Sequence, residues 1–500
     1  MDNKFSKGGI ILSKRFSTKG LKRFFGELKR SKVGIAGFTL FLIFLLLALL
    51  FPYIGNMNDI KNWDNLQYWQ DNPKAVPPCW ATSNQFSTVR VVGEEKSDNL
   101  IVRTGEFENF TYKEYSFMYE LKNVPPNEII FSFNINYNSP VYVMLVLIRP
   151  DNKTLYLTGN PISGQYTSIT NLFGVSPNSY TGSIRLPVST YINNMVTDNT
   201  YILPWLQENN ITLPIQDVYR LPSLAFNAIH EVLSPNMLET ISPTYLTGTY
   251  NWTIMFYSTG NFTVNVKEIT ALGGCYGIFG TDNVGRDLFM GLIYGIRWAL
   301  IIGFSVSVIS VLFGGLYGVI GGYLGGKTDE ILLRVAQIFY SIPILPILIL
   351  LAIIFRPSIW NVISMLIIFG WPSTAIVTRS MALQIKEETY VEAAKALGAS
   401  SSRILLRYIF PQVLPYLFAS MALSVPGAIL TEASLSFLGL GDPSIVTWGR
   451  ILNEAEIAGA TINGYWWWVI PPGLMITLIG LTFILIGQAL DTILNPKLKR

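Results

Sequence analysis

The chain has 500 residues, of which half are apolar and only 14% charged, with a formal net charge of +4 and a positive mean hydropathy. That balance excludes a wholly soluble protein of this length, which needs charge to cover the surface of each domain. The apolar residues are also gathered into runs of about 20, the length that crosses a bilayer core, one early in the chain and five late.

Residues 1–32 form a basic arm with ten Lys or Arg against Asp2 and Glu27. Beside an apolar run, such an arm marks the cytoplasmic flank of a span, and no nucleic-acid partner is expected. The first run, 33–53, is too long for a signal-peptide core and lacks a small-residue cleavage site, so it is expected to be a retained anchor. Residues 54–279 contain no spanning run and carry more acidic than basic residues, as suits a separate extracellular domain. Alternation in Glu114–Tyr119 and Ile129–Tyr137 predicts strands. Val141–Ile148, the turn Arg149-Pro150-Asp151-Asn152 and Leu155–Leu157 read as a hairpin; Trp252–Tyr257 and Phe262–Val266 read as another. Ser223–Leu233 is the one helical stretch expected there, inserted in a β-sandwich.

Further spans are predicted at about Trp298–Gly321, Leu333–Ile354, Val362–Met381, Val413–Leu435 and Trp467–Leu490. The fold class is therefore an all-α polytopic membrane protein of six transmembrane helices, with a large β-rich extracellular insertion between the first and second spans. Residues 280–496 form a five-helix core, and the basic tail 497–500 lies, like the amino end, in the cytoplasm. Gly314, Gly315, Gly318, Gly321 and Gly322 should let another helix approach the second span closely. Pro343 and Pro346 fall inside the third span, where neighbouring helices are expected to satisfy the freed backbone groups. Arg297, Arg334, Arg379 and Glu432 fall near predicted span ends, where charge costs little.

The cytoplasmic segment 386–415 contains TYVEAAKALGASSSRILLRYIFPQVLP, Thr389 to Pro415. Thr389 with Glu392 fits a capping box, Gly398 suits a helix C′ position, Ser400–Ser402 suit a cap, and Pro411 should end the second helix near Phe410. An ordinary amphipathic loop fits the same residues. Glu392-Ala393-Ala394, then Gly398 six residues after the Glu, then Pro411 thirteen further on, resembles the EAA coupling loop of binding-protein-dependent ABC importer permeases, although that family usually has Leu-Pro where this chain has Phe410-Pro411. The likeness narrows to dipeptide and oligopeptide permeases through GTDNVGRDLFMGLIYGIR (Gly280–Arg297), GGYLGGKTDEILLR (Gly321–Arg334) and EASLSFLGLGDPSIVTWG (Glu432–Gly449).

The resemblance implies that this chain is a permease for peptides or oligosaccharides, multi-pass in the cell membrane and bathed in lipid. It would pair with a homologous second permease subunit, two ATPase subunits and an extracellular substrate-binding protein. Glu392, Ala393, Ala394, Gly398 and Pro411 would carry the coupling to the ATPases. ATP and Mg would belong to the partner ATPases, with no cofactor and no catalysis on this chain. Gly321–Thr328 fits the phosphate-loop pattern, but a membrane span precedes it where that loop needs a strand and a soluble α/β domain. Asp282, Asn283 and Asp287 lack the spacing of a calcium loop and are expected to form a structural turn. His230, the sole histidine, and two distant cysteines offer no triad and no metal set.

Cys79 and Cys275 both fall in the external segment and are expected to pair, since exposed thiols in an oxidising compartment tend to do so. Asn109, Asn152, Asn210, Asn251 and Asn261 head sequons that permit glycosylation, about as many as an Asn- and Thr-rich domain gives by chance. Two rivals remain at this point. A membrane-anchored extracellular binding or enzymatic protein would need one span, not six. A secondary transporter would need ionisable groups near midspan.

Overall fold

The structure, a computed structural model, describes residues 31–82, 88–92, 100–107, 109–121, 126, 128–158, 179–187 and 246–494. They divide into two compact units. One comprises the described residues up to Asp64 and those from Leu288 onward; the other is Asn65–Asp287.

Helix α1 (Lys32–Ile54) is capped by Ser31, whose Oγ accepts from Gly34 N at 3.1 Å. A short helix, α2 (Met57–Lys61), follows with Asn56 as its cap.

The second unit opens with α3 (Leu66–Trp69) and then builds strands β1 (Val89–Val92), β2 (Leu100–Phe107), β3 (Phe110–Leu121), β4 (Glu128–Tyr137), β5 (Val141–Ile148), β6 (Thr154–Thr158), β7 (Ser179–Pro187), β8 (Gly248–Ser258) and β9 (Phe262–Leu272). They form two antiparallel sheets, β1-β9-β4-β7 and β2-β3-β8-β5-β6. Period-two alternation turns Tyr115 and Phe117 of β3, Phe131, Phe133 and Ile135 of β4, and Ile254 and Phe256 of β8 into full burial. The sheets meet through these rings: Phe133 and Phe256 lie 5.0 Å apart, and Tyr115 donates across the gap to Val264 O at 2.9 Å.

The β5–β6 hairpin forms as the sequence suggests, over the turn at Arg149–Lys153. The second expected hairpin does not. β8 pairs with β3 and β5 while β9 pairs with β1 and β4, so Ser258–Phe262 carries the chain from one sheet to the other. Both edges of each strand are already taken, which periodicity within the strands could not reveal. The stretch Ser223–Leu233 lies outside the described residues, as does His230.

The membrane unit resumes with α4 (Leu288–Leu324), α5 (Gly326–Ser341), α6 (Ile344–Ile354), α7 (Ile359–Gly370), α8 (Pro372–Lys386), α9 (Thr389–Ala396), α10 (Ser401–Phe437), α11 (Trp448–Ile457) and α12 (Trp466–Leu494). Among the described residues, five helical stretches are long and apolar enough to cross a membrane: α1, α4, α7 with α8, α10 and α12. The expected third span is different. It is a pair, α5 and α6, bent by 79° at Ile342–Pro343. Pro343 is the N-cap of α6, so the missing donor and the ring clash break the helix instead of being absorbed by neighbours.

Helix α4 is the spine of this unit. Gly314, Gly318 and Gly322 recur every four residues along one face, and a Cβ built on them would lie 2.4 Å from Trp371 O, 2.1 Å from Ala375 O and 2.6 Å from Arg379 O. Only glycine allows α8 to come so close. Gly303 and Gly315 do the same for Val425 and Leu417 of α10.

Candidate functional site

Helix α9 and the start of α10 hold the residues singled out by sequence. Glu388 is the N-cap of α9 and makes no side-chain capping bond, so the expected Thr389–Glu392 box is absent: Thr389 sits one position too late, inside the helix. The far end closes as expected. Gly398 takes φ +78°, its N–H donates to Lys395 O at 3.0 Å, and Ala399 N–H reaches Ala394 O at 3.1 Å. This paired closure satisfies two carbonyls that a helix end otherwise leaves open.

After Ser400 the chain does not form a separate helix ending at Phe410. It runs straight into the span through a π-helical turn, Leu405–Ile409, in which Phe410 N–H donates to Leu405 O. The turn explains how Pro411 is tolerated. Widening the helix just before it puts Pro411 in the first turn after the π segment, where its absent N–H costs little.

The helix α9 presents two different faces. Val391 and Ala394 are buried, and Val391 packs in a cluster with Ala382, Ile404, Ile409 and Val413. Ala394 therefore fills space within this chain, whereas Ala393 is exposed. Glu392, Lys395 and Gly398 are exposed too. Leu397 at the tip is 88% exposed and Leu406 is 64% exposed. Together with Ala393, these leucines and the exposed Arg403 and Arg407 give this part of the chain a surface that is both apolar and basic. Burial, reinforced by the Glu388 charge, pushes the phenol of Tyr390 above its ordinary range.

The platform behind α9 is tied together by charge. Arg379 of α8 grips Asp329 near the start of α5 with two bonds, Nε to Oδ1 at 2.5 Å and a second nitrogen to Oδ2 at 2.6 Å. No local pattern announces this pair, whose members lie 50 residues apart. The phosphate-loop look-alike joins two helices: Gly325, between α4 and α5, and Gly326, the first residue of α5, both lie at positive φ, and no strand delivers them. Glu432 lies within the last turns of α10, near its end at Phe437, as expected. It is buried in α10 and accepts from Ser436 Oγ at 2.7 Å.

In the second unit, Asp282 is wholly buried and its Oδ1 accepts from the N–H groups of Val284, Gly285 and Arg286, each at 2.9 Å, while Oδ2 takes Arg286 Nε. With its oxygens so engaged, the carboxylate holds a turn. That turn pairs with residues 72–81: Thr281 Oγ1 donates to Pro73 O at 2.7 Å, and Asn72 donates to Gly285 O at 3.0 Å. Cys79 and Cys275 are disulfide-bonded in the same stem, with Cα atoms 4.8 Å apart. Asn109, Asn152 and Asn261 lie exposed in turns, Asn251 is half-buried in the middle of β8, and Asn210 lies outside the described residues.

Residues 310–500 match the family described as "binding-protein-dependent transport system inner membrane component". Among curated proteins, the chain is 37% identical over 223 residues to the dipeptide transport system permease protein DppC of Bacillus subtilis, covering 44% of this chain and 69% of that one. It is equally identical to the oligopeptide transport system permease protein OppC of the same organism, over 72% of its length. A putative peptide transport system permease protein of Brucella suis is 35% identical over 74% of its length.

Proposed function

The chain belongs to the binding-protein-dependent transport inner membrane component family as a permease subunit of an ATP-driven importer, and we propose that it forms half of a path for short peptides, coupled through α9 to separate ATPases. The observation that carries the cargo class is the similarity to dipeptide and oligopeptide permeases over more than two thirds of their length. The two-faced α9 supports the coupling. Its buried face, Val391 and Ala394, fixes it to the membrane helices, so a push on the exposed face moves the core as one body.

In this reading both chain ends and α9 are cytoplasmic, and the β-rich unit is outside the cell membrane, where a disulfide persists. A second permease subunit completes the path, two ATPases bind ATP and Mg below, and a binding protein delivers cargo above. Exposed sequons at Asn109, Asn152 and Asn261 accept glycans in a cell that makes them. The half-buried Asn251 would have to leave its strand to do so. An anchored enzyme has no use for several spanning helices and an exposed, rigidly mounted α9.

The test is uptake. The four-part transporter, with its binding protein, is reconstituted in proteoliposomes and supplied with labelled di- to pentapeptides. ATP-dependent accumulation is expected; accumulation that is indifferent to ATP, or absent for every peptide, rejects the reading.

A further inference from the structure

The break between α5 and α6 is exposed non-helical backbone within an apolar helix pair. Its depth follows from the aromatic residues around it. Phe339, two residues before Ser341, lies 5.9 Å from Phe369 and 5.8 Å from Trp371, at the junction of α7 and α8. Trp371 in turn meets Phe313, in the interior of the 37-residue α4, at 5.3 Å. The break therefore lies within the thickness of the apolar layer, not at its edge.

Neither end of the break is closed. No side chain caps α6, and no capping backbone bond ends α5. The open donors of the first turn of α6 fall on Ile344 and Leu345, because Pro346 has none. Ser341 Oγ meets one carbonyl, Ile338 O, at 2.9 Å and leaves the rest of that last turn bare. Tyr340 is 65% exposed, and Ser341 and Pro343 are exposed beside it. Lipid tails offer no hydrogen bonds, so backbone of this kind is tolerated at membrane depth only inside protein or against a water-filled cavity.

We propose that Tyr340–Leu345 forms part of the wall of the aqueous path and hydrogen-bonds the main chain of the passing peptide. The inference rests on the importer reading and adds the contact surface. Donors and acceptors of the main chain are common to every peptide, so a surface of bare backbone grips the cargo without reading its side chains. The nearby polar groups, Ser341 Oγ and the Tyr340 phenol, are uncharged and suit the same task.

The test places single cysteines in the assembled transporter in nanodiscs and follows their reaction with a cationic, membrane-impermeant methanethiosulfonate. Ser341→Cys is compared with Leu350→Cys, a 51% exposed position inside the apolar α6 and away from the break. Ser341→Cys should react at least about tenfold faster, because a thiol held in hydrocarbon does not form the reactive thiolate. Trialanine, with ATP and the binding protein present, should slow it. Tyr340→Cys serves if Ser341→Cys does not assemble. Equal slow rates at both sites overturn the proposal, as they would if the second permease covers the break. Fast reaction that trialanine leaves unchanged also overturns it. Labelling needs no transport, so its failure is separable from a failure of uptake by the unmodified complex.

Discussion

Replacing Gly318 by alanine tests the packing that holds the unit together. The new Cβ would lie 2.1 Å from Ala375 O, 2.2 Å from Thr378 Oγ1 and 2.8 Å from Arg379 N. Two of these are backbone atoms of α8 and cannot swing aside. Relief needs α4 and α8 to separate by roughly 1 Å, which weakens contacts along the whole seam. Overpacking of this kind costs about 1–3 kcal/mol, and here the upper end is expected because the flanking Gly314 and Gly322 contacts loosen too. Gly427→Ala and Gly473→Ala are the controls. A Cβ at either meets nothing within 4 Å, and alanine in a helix interior gains about 0.5–1 kcal/mol over glycine. Thermal unfolding of the purified protein in nanodiscs, followed by tryptophan fluorescence, should show a lowered midpoint for Gly318→Ala and unchanged or raised midpoints for the controls. If Gly318→Ala is as well tolerated as Gly427→Ala, the close α4–α8 seam is wrong.

Ala393→Arg should leave folding intact and abolish ATP-driven uptake, whereas Ala394→Arg should lower the unfolding midpoint, because only the second side chain is buried; equal midpoints in a melt would contradict the two-faced helix. Asp282→Ala removes the acceptor of three N–H groups and strands the buried Arg286, a loss of about 3–5 kcal/mol, read as faster proteolysis of the β-rich unit; unchanged resistance would refute it. Burial pushes the Asp442 carboxyl up, but bonds from Ser444 and Ile359 N–H and the charge of Arg450 outweigh it and hold it below its ordinary range. A depressed acid contributes stability that is complete above the unfolded value near pH 4 and lost as pH falls through the folded one, so Asp442→Asn should blunt the acid dependence of unfolding below about pH 4. A variant with the wild-type pH profile would remove Asp442 from that role.

What the sequence made legible was what depends on local pattern. Apolar runs located α1, α4, α10 and α12, alternation located β3 and β4, and the turn at Arg149–Asn152 located the β5–β6 hairpin. Gly398 announced the end of α9 because a positive φ there favours glycine. What it hid depends on partners far along the chain. The pairing of β8 and β9 with different sheets, the Asp329–Arg379 clamp and the burial of Ala394 have no local signature. Helix α11 escaped notice because its ten residues are amphipathic and follow a turn, with Trp448 buried and donating to Leu292 O at 2.9 Å. Proline misled twice, in opposite senses. Pro343 breaks its helix where continuity was expected, and Pro411 is carried by a π turn where a break was expected.

The claim that α9 transmits the ATPase stroke is tested most directly by a photo-crosslinker placed at Leu397, the 88% exposed residue that caps its end. In the assembled transporter, irradiation should join this position to an ATPase subunit, with a yield that changes when ATP is added. Crosslinks only to lipid or to the extracellular binding protein would place the helix elsewhere and contradict the account.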